Sequence, residues 1–229
     1  AIRSGKGILV DGSDLGGSGT RMGRVRGDSL EDGASNNFVD LFASDDVQVL
    51  GPTSSGGTLF AVSAVPTIKA NKDTAGTIRV ISTGGGVSST GRAFLAGVDN
   101  KSTRGGTVSI AAADTVNLDG TTIVAIGDHS NPTKTAGGHI IVRSYGGSVL
   151  WRNGTGDVRP VGSLANVPVG DQGTIVLTAC GTIDTTGSSF PTNGVATSML
   201  PETHTGVCSP AAPSLPAGEP PPATCNTIQ

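Results

Sequence analysis

The sequence predicts an all-β chain whose short strands stack in parallel as a β-solenoid, and three observations carry that reading. Apolar and polar residues alternate along short segments, six of these segments fit one shared frame, and helical signals are nearly absent. No stretch of ten residues shows a 3.6-residue apolar period, and Gly or Pro interrupts nearly every window. The composition agrees. With 36 Gly, 35% apolar residues and 3% aromatics in 229 residues, an interior must be filled by Val, Ile, Leu, Ala, Ser and Thr.

Residues 1–37, rich in Gly, Asp, Arg and Ser, are expected to form an N-terminal cap or a first irregular coil. Residues 38–190 are expected to form the solenoid proper, of about six coils. The frame is clearest in GGTVSIAAADTVNLDG, residues 105–120: apolar, any, apolar, any, small (Val108, Ile110, Ala112), then a second apolar pair (Val116, Leu118). It fits again at Val39, Leu41, Ala43 with Val47, Val49, and at Ile175, Leu177, Ala179 with Ile183. With the second pair slipped by one position it fits three further starts, Leu59 (through Ser63), Ile78 (through Ser82) and Ile140 (through Ser144). The starts at 39, 59, 78, 108, 140 and 175 are separated by 20, 19, 30, 32 and 35 residues, a spacing typical of arrays. An ordinary β-sandwich would not require six units to share a frame. Ile78, Val80, Val108, Ile110, Ile140, Val142, Ile175 and Leu177 are thus expected to form two stacked inward ladders.

A Gly stands two residues before the first frame position at Gly57, Gly76, Gly106, Gly138 and Gly173. The longer repeats carry a third apolar stretch followed by a polar loop. Residues 98–105, 127–137 and 162–172 are therefore expected on one edge, where loops tolerate change and meet partners.

From Pro191 the alternation fades, and SPAAPSLPAGEPPPATC holds most of the prolines of the tail, residues 191–229. Prolines stiffen an extended chain and cannot donate to a sheet, so the tail reads as a linker, a strap on the solenoid or an arm to a neighbour. Its cysteines suggest anchoring. Of Cys180, Cys208 and Cys225, the preferred disulfide is Cys208 to Cys225; Cys180 to Cys208 comes next, and three free thiols is the remaining alternative.

The repeats GGTVSIAAADTVNLDG and GTIRVISTGGGVSSTGRAFLAG resemble those of filamentous-haemagglutinin-type bacterial adhesins, over roughly residues 38–190. That resemblance implies a right-handed parallel β-helix and an extracellular, non-catalytic protein of surface attachment. This chain departs from the family in two ways. Its one Asn-Pro, Asn131-Pro132, lies in a loop rather than in the Asn-Pro-Asn motif of an N-terminal secretion domain, and it is shorter and carries three cysteines.

Several classes of chemistry are disfavoured. A net charge of −3 with scattered Lys and Arg does not suit nucleic-acid binding. No apolar stretch approaches the ~18 residues of a membrane span. Ala1 in place of an initiating Met reads as processing or trimming, with any signal peptide already removed. Asp45-Asp46 is the best acidic pair, but neighbours on a strand point to opposite faces, so it reads as a turn rather than a glycosidase pair. His129, His139 and His204 stand far apart without ligand spacing, and DGSDLGGSG (11–19) is a single Gly/Asp loop without the repetition of a calcium array. GTGDV and STGGGVSS precede no helix, so they lack the context of a phosphate loop. Asn100-Lys101-Ser102 and Asn153-Gly154-Thr155 are glycosylation sequons.

No catalytic, cofactor or metal residues are assigned. The function expected is that of a non-enzymatic, extracellular or cell-surface β-solenoid acting by association, as an adhesin-like protein or repeating subunit of a fibre. Its partners would be further copies, joined head to tail, or a cell-surface or carbohydrate ligand. The alternative is a carbohydrate-active β-helix enzyme, a lyase or glycosidase, which would use Trp151 or Tyr145 as a sugar platform unless these rings are structural.

Overall fold

The computed structural model describes residues 1–13, 25–26, 38–53, 59–64, 76–97, 105–128, 137–161, 173–191 and 201–208. Among them there is no helix, and every strand pairing is parallel. The strands come in successive sets. The first is β1 (Ile2–Ser4), β2 (Ile8–Asp11) and β3 (Val25–Arg26); the second is β4 (Phe38–Ala43), β5 (Val47–Leu50) and β6 (Val62–Ala64). The third is β7 (Thr77–Ser82) and the long β8 (Val87–Ala96). The fourth is β9 (Thr107–Ala112), β10 (Val116–Asn117), β11 (Thr121–Ala125) and β12 (Gly127–Asp128). The fifth is β13 (His139–Ser144), β14 (Val149–Leu150), β15 (Thr155–Asp157) and β16 (Pro160–Val161), followed by β17 (Thr174–Ala179), β18 (Ile183–Asp184) and β19 (Glu202–His204).

The first strand of each set joins one seven-stranded sheet, in the order β1-β4-β7-β9-β13-β17-β19. The other strands, apart from the two-stranded β12-β16 sheet, form a ten-stranded sheet with two wings that share β8. The first half of β8 pairs with β5 and β10, and its second half with β6 and β11. The bend between the halves falls at Gly91, whose φ of 64° lies in the left-handed region that a side chain disfavours.

Period-two alternation explains the core. Val39, Ile78, Val108, Ile140 and Ile175 stand side by side in register, as do Leu41, Val80, Ile110, Val142 and Leu177. All ten are buried, so both expected ladders are present and each also takes in a residue of β4. Burying each such side chain contributes roughly 1.5–3 kcal/mol. Ile2 pairs with Leu41 and extends the second ladder by one further rung.

The third inward position alternates: Ala43, Ser82, Ala112, Ser144, Ala179. The serines occur in the two frames, at 78 and 140, where one more residue separates the sheets. Ser82 Oγ donates to the Asp45 carbonyl at 2.6 Å and accepts the Gly85 amide at 3.0 Å. Ser144 Oγ likewise donates to the Asp114 carbonyl at 2.7 Å and accepts the Gly147 amide at 2.9 Å. The hydroxyl therefore pairs the polar groups that the longer turn brings into the corner. The recurring glycines before the frame have a steric cause. A Cβ at Gly138 would fall on the Ala125 carbonyl, and one at Gly106 on the backbone of Ala96, so the return to the first sheet brings two backbones into contact.

The frame starting at Leu59 is placed differently from expectation. Val62–Ala64 pairs with β3 and with the second half of β8, in the third layer rather than the first sheet. Its slipped partners Ile68 and Ala70 lie outside the described residues. The phase differs too: Val62 and Ala64, rather than Ser63, stand in register with the buried Phe94 and Ala96, and all three residues of β6 are buried, so the segment itself carries no alternation to mark its layer. Within residues 1–37, β1, β2 and β3 each pair in parallel with the matching strand of the second set. Within the tail, β19 adds a strand to the first sheet beside β17.

Candidate functional site

The residues singled out for chemistry are dispersed by the fold. Asp45 and Asp46 occupy the turn between β4 and β5, where Asp46 Oδ1 accepts the Gly86 amide at 2.7 Å. His139 lies on the outer face of β13 with Nδ1 2.9 Å from Thr174 Oγ1, and His204 Nε2 is 2.7 Å from Glu202 Oε1; His129 is outside the described residues. Asp11 in the Gly/Asp segment turns its carboxylate onto the Ser13 amide and hydroxyl, which hold its pKa below the ordinary carboxylate value; residues 14–19 are outside the described set. Among the described residues no group of three or more His, Cys, Asp or Glu side chains is placed to hold a metal. GTGDV forms β15 and STGGGVSS the corner into β8. Of the sequons, Asn153 is exposed at a turn with φ 54°, and Asn100 is outside the described residues.

The aromatic rings serve the interior. Trp151 is fully buried, its Nε1–H donates to the Thr121 carbonyl at 3.1 Å, and its ring meets Phe190 edge to face at 5.3 Å. Its indole also explains Gly156, which follows in β15 where the same inward row holds Phe94 and Ile123: a Cβ there would come 2.7 Å from the Trp ring. The apolar slot is filled from the neighbouring wing, so the third apolar stretch of that repeat is faint in the sequence. Tyr145 lies under the Arg143 guanidinium at 4.2 Å.

One cluster was not visible as a site beforehand. Asp40 and Phe42 occupy the outward phase of β4 and are nonetheless buried, at 1% and 0% exposure. Arg79 grips both Asp40 oxygens, at 2.6 and 2.5 Å, while Arg79 and Arg3 lie 5.5 and 5.7 Å from the Phe42 ring. A buried carboxylate paired with Arg79, beside a ring that lies beneath the Arg3 and Arg79 guanidinium groups, joins three strands of the first sheet. Its sequence signal is a Phe in the polar phase of an alternating strand.

The loops expected on one edge lie mostly outside the described residues. Their flanks do converge: Gly76 N–H donates to the Gly97 carbonyl, Gly106 N–H to Ile126 and Gly138 N–H to Val158, all at the return from the third layer to the first. Residues 127 and 128, counted with a loop, pair instead with Pro160 and Val161.

The ends of the sheets have the geometry with the clearest functional content. Among the described residues, no strand pairs with the outer side of β1, β2 or β3, nor with the far side of β18 or β19. Each set presents to its predecessor the same side that β1 and β2 leave open. At that end Ile2, an inward ladder residue, is 41% exposed, and Leu9 is 62% exposed.

The far end is closed differently. Cys208, seven residues after Pro201, is bonded to Cys180, which directly follows β17, and not to Cys225 as preferred from the sequence. A cysteine makes one disulfide, and β19 sets Cys208 down beside the turn after Ala179, where the Val207 amide donates to the Ala179 carbonyl at 3.1 Å. Cys225 is outside the described residues. No helix of the described residues is long and apolar enough to cross a membrane. No protein-family model, curated protein or solved structure matches this chain.

Proposed function

We propose that this chain is a right-handed parallel β-solenoid of about six coils that acts by association outside the cell, as an adhesin-like surface protein or repeating subunit of a fibre, without catalysis. The observation that carries the reading is that, among the described residues, β1 and β2 at one end and β18 and β19 at the other are each paired on one side only. Unpaired strand edges template pairing with another chain, and a head-to-tail contact between unlike ends does not close, so it propagates. The right hand is that of nearly all crossovers between parallel strands. A disulfide supports an oxidising compartment, and the repeat resemblance supports an adhesin-like role. Nothing among the described residues favours the carbohydrate-active alternative, whose sugar platform would draw on Trp151 and Tyr145: one is buried, the other lies beneath Arg143.

The test is sedimentation velocity and electron microscopy over a concentration series, with and without a thiol reductant. End-to-end oligomers or filaments that lengthen with concentration are expected in at least one of the two conditions. A monomer at every concentration in both would contradict association through the ends.

A further inference from the structure

We propose that β19 is a removable cap, fastened by the Cys180–Cys208 disulfide, over the strand edge that receives a second copy of this chain. The proposal rests on the association reading and assigns its control. β19 pairs through Glu202, Thr203 and His204 with Val176, Leu177 and Thr178. The second inward ladder runs Ile2, Leu41, Val80, Ile110, Val142, Leu177, and Thr203 takes the next rung. An apolar column thus ends on a polar residue, with the Glu202–His204 pair on either side of it. All three β19 residues are exposed, so the strand buries no side chain that would hold it in place.

Short length and charge are the usual means of blunting an edge against further pairing. Among the described residues, β19 is held by a few backbone hydrogen bonds and one covalent bond. Cys208 is exposed and Cys180 is half-buried, so the disulfide is open to a small reductant. A dithiol supplies two electrons and two protons: the Cys180–Cys208 bond breaks, two thiols form, and the dithiol closes to its own disulfide. Once β19 leaves, β17 presents the edge that β13 presents to β17. The occupant that fits is β1 of a second copy, because Ile2 holds the same ladder position, is 41% exposed, and would set an apolar side chain over Leu177 where Thr203 had been.

The experiment uses the full chain with Cys225→Ser, so that only the observed disulfide responds, in three forms: oxidised, treated with dithiothreitol, and carrying Cys180→Ser with Cys208→Ser. Amide hydrogen exchange reads release of the strand, and light scattering reads assembly. Opening a disulfide that closes a loop of this size is expected to speed exchange at residues 202–207 by about tenfold or more. The reduced and cysteine-free forms should assemble at concentrations where the oxidised form stays dispersed. Unchanged exchange at 202–207 overturns the latch. Released β19 with equal assembly in all three forms overturns its role as a cap while leaving association standing. A fourth form lacking residues 201–208 separates the remaining case: if it too never assembles, association through this end is itself wrong.

Discussion

Ile110→Asp is expected to unfold the protein at temperatures where the parent chain is folded. Ile110 is 1% exposed and stands in register between Val80 and Val142, with no cation among its ladder neighbours. A carboxylate there forfeits the burial of an isoleucine and places an unpaired charge in an apolar column, so the combined cost is roughly 5 kcal/mol or more. That is comparable to the whole stability of many domains. The contrast is Ile141→Asp, on the adjacent strand and in the opposite phase: Ile141 is 42% exposed on the outer face of β13, and a charge there should change stability by no more than about 0.5 kcal/mol. Thermal melts by circular dichroism compare the two. Equal stability of Ile110→Asp and the parent would mean that the inward phase has been misassigned.

Trp151→Ala is the second large effect. The indole is fully buried, packs on Phe190, holds the Thr121 carbonyl, and fills the space over Gly154 and, together with Phe190 and Ile175, the space over Gly156. Its removal leaves a cavity between Gly154, Gly156, Phe190 and Ile175, and the two glycines offer no side chain to help close it. A loss of about 3–5 kcal/mol is expected, read by chemical denaturation. Tyr145→Ala, which removes a half-buried ring lying beneath an arginine, should cost under about 1 kcal/mol. Similar small losses for both would show that Trp151 does not plug the interior.

The ladder residues were legible because burial of alternate side chains leaves a period of two in the sequence, and because Ile78, Val108, Ile140 and Ile175 repeat at a common frame. Even the slipped frames had content, since Ser82 and Ser144 mark the two longer corners. What alternation cannot carry is the identity of the layer: Ala61 and Ser63 matched the frame yet belong to the third layer. β19 escaped notice for a related reason. It lies at the end of the stack, where no inward face is buried, so Glu202, Thr203 and His204 keep no apolar trace of being a strand. The disulfide followed from that strand, not from the spacing of the cysteines, because β19 decides which thiol reaches Cys180. The pairing of Arg79 with Asp40 and Phe42 was hidden because Arg79 comes from a different strand, 39 residues on from Asp40, and meets them only through the register.

The most direct measurement of end-to-end continuation is a cross-link between copies. Along the second layer the outward row runs Leu9, Gln48, Ser88, Asn117, Leu150, Asp184, so Leu9 of an arriving copy would come to rest over Asp184. Adjacent strands lie about 4.8 Å apart, within reach of a disulfide. In chains with Cys180, Cys208 and Cys225 changed to Ser, one carrying Leu9→Cys and the other Asp184→Cys are mixed, oxidised, and mapped by peptide mass spectrometry, with Leu9→Cys plus Asn117→Cys as the mid-stack control. A 9-to-184 cross-link that exceeds both the control and the symmetric 9-to-9 product is the predicted result; cross-linking no better than the control, with both thiols reactive, would contradict the account.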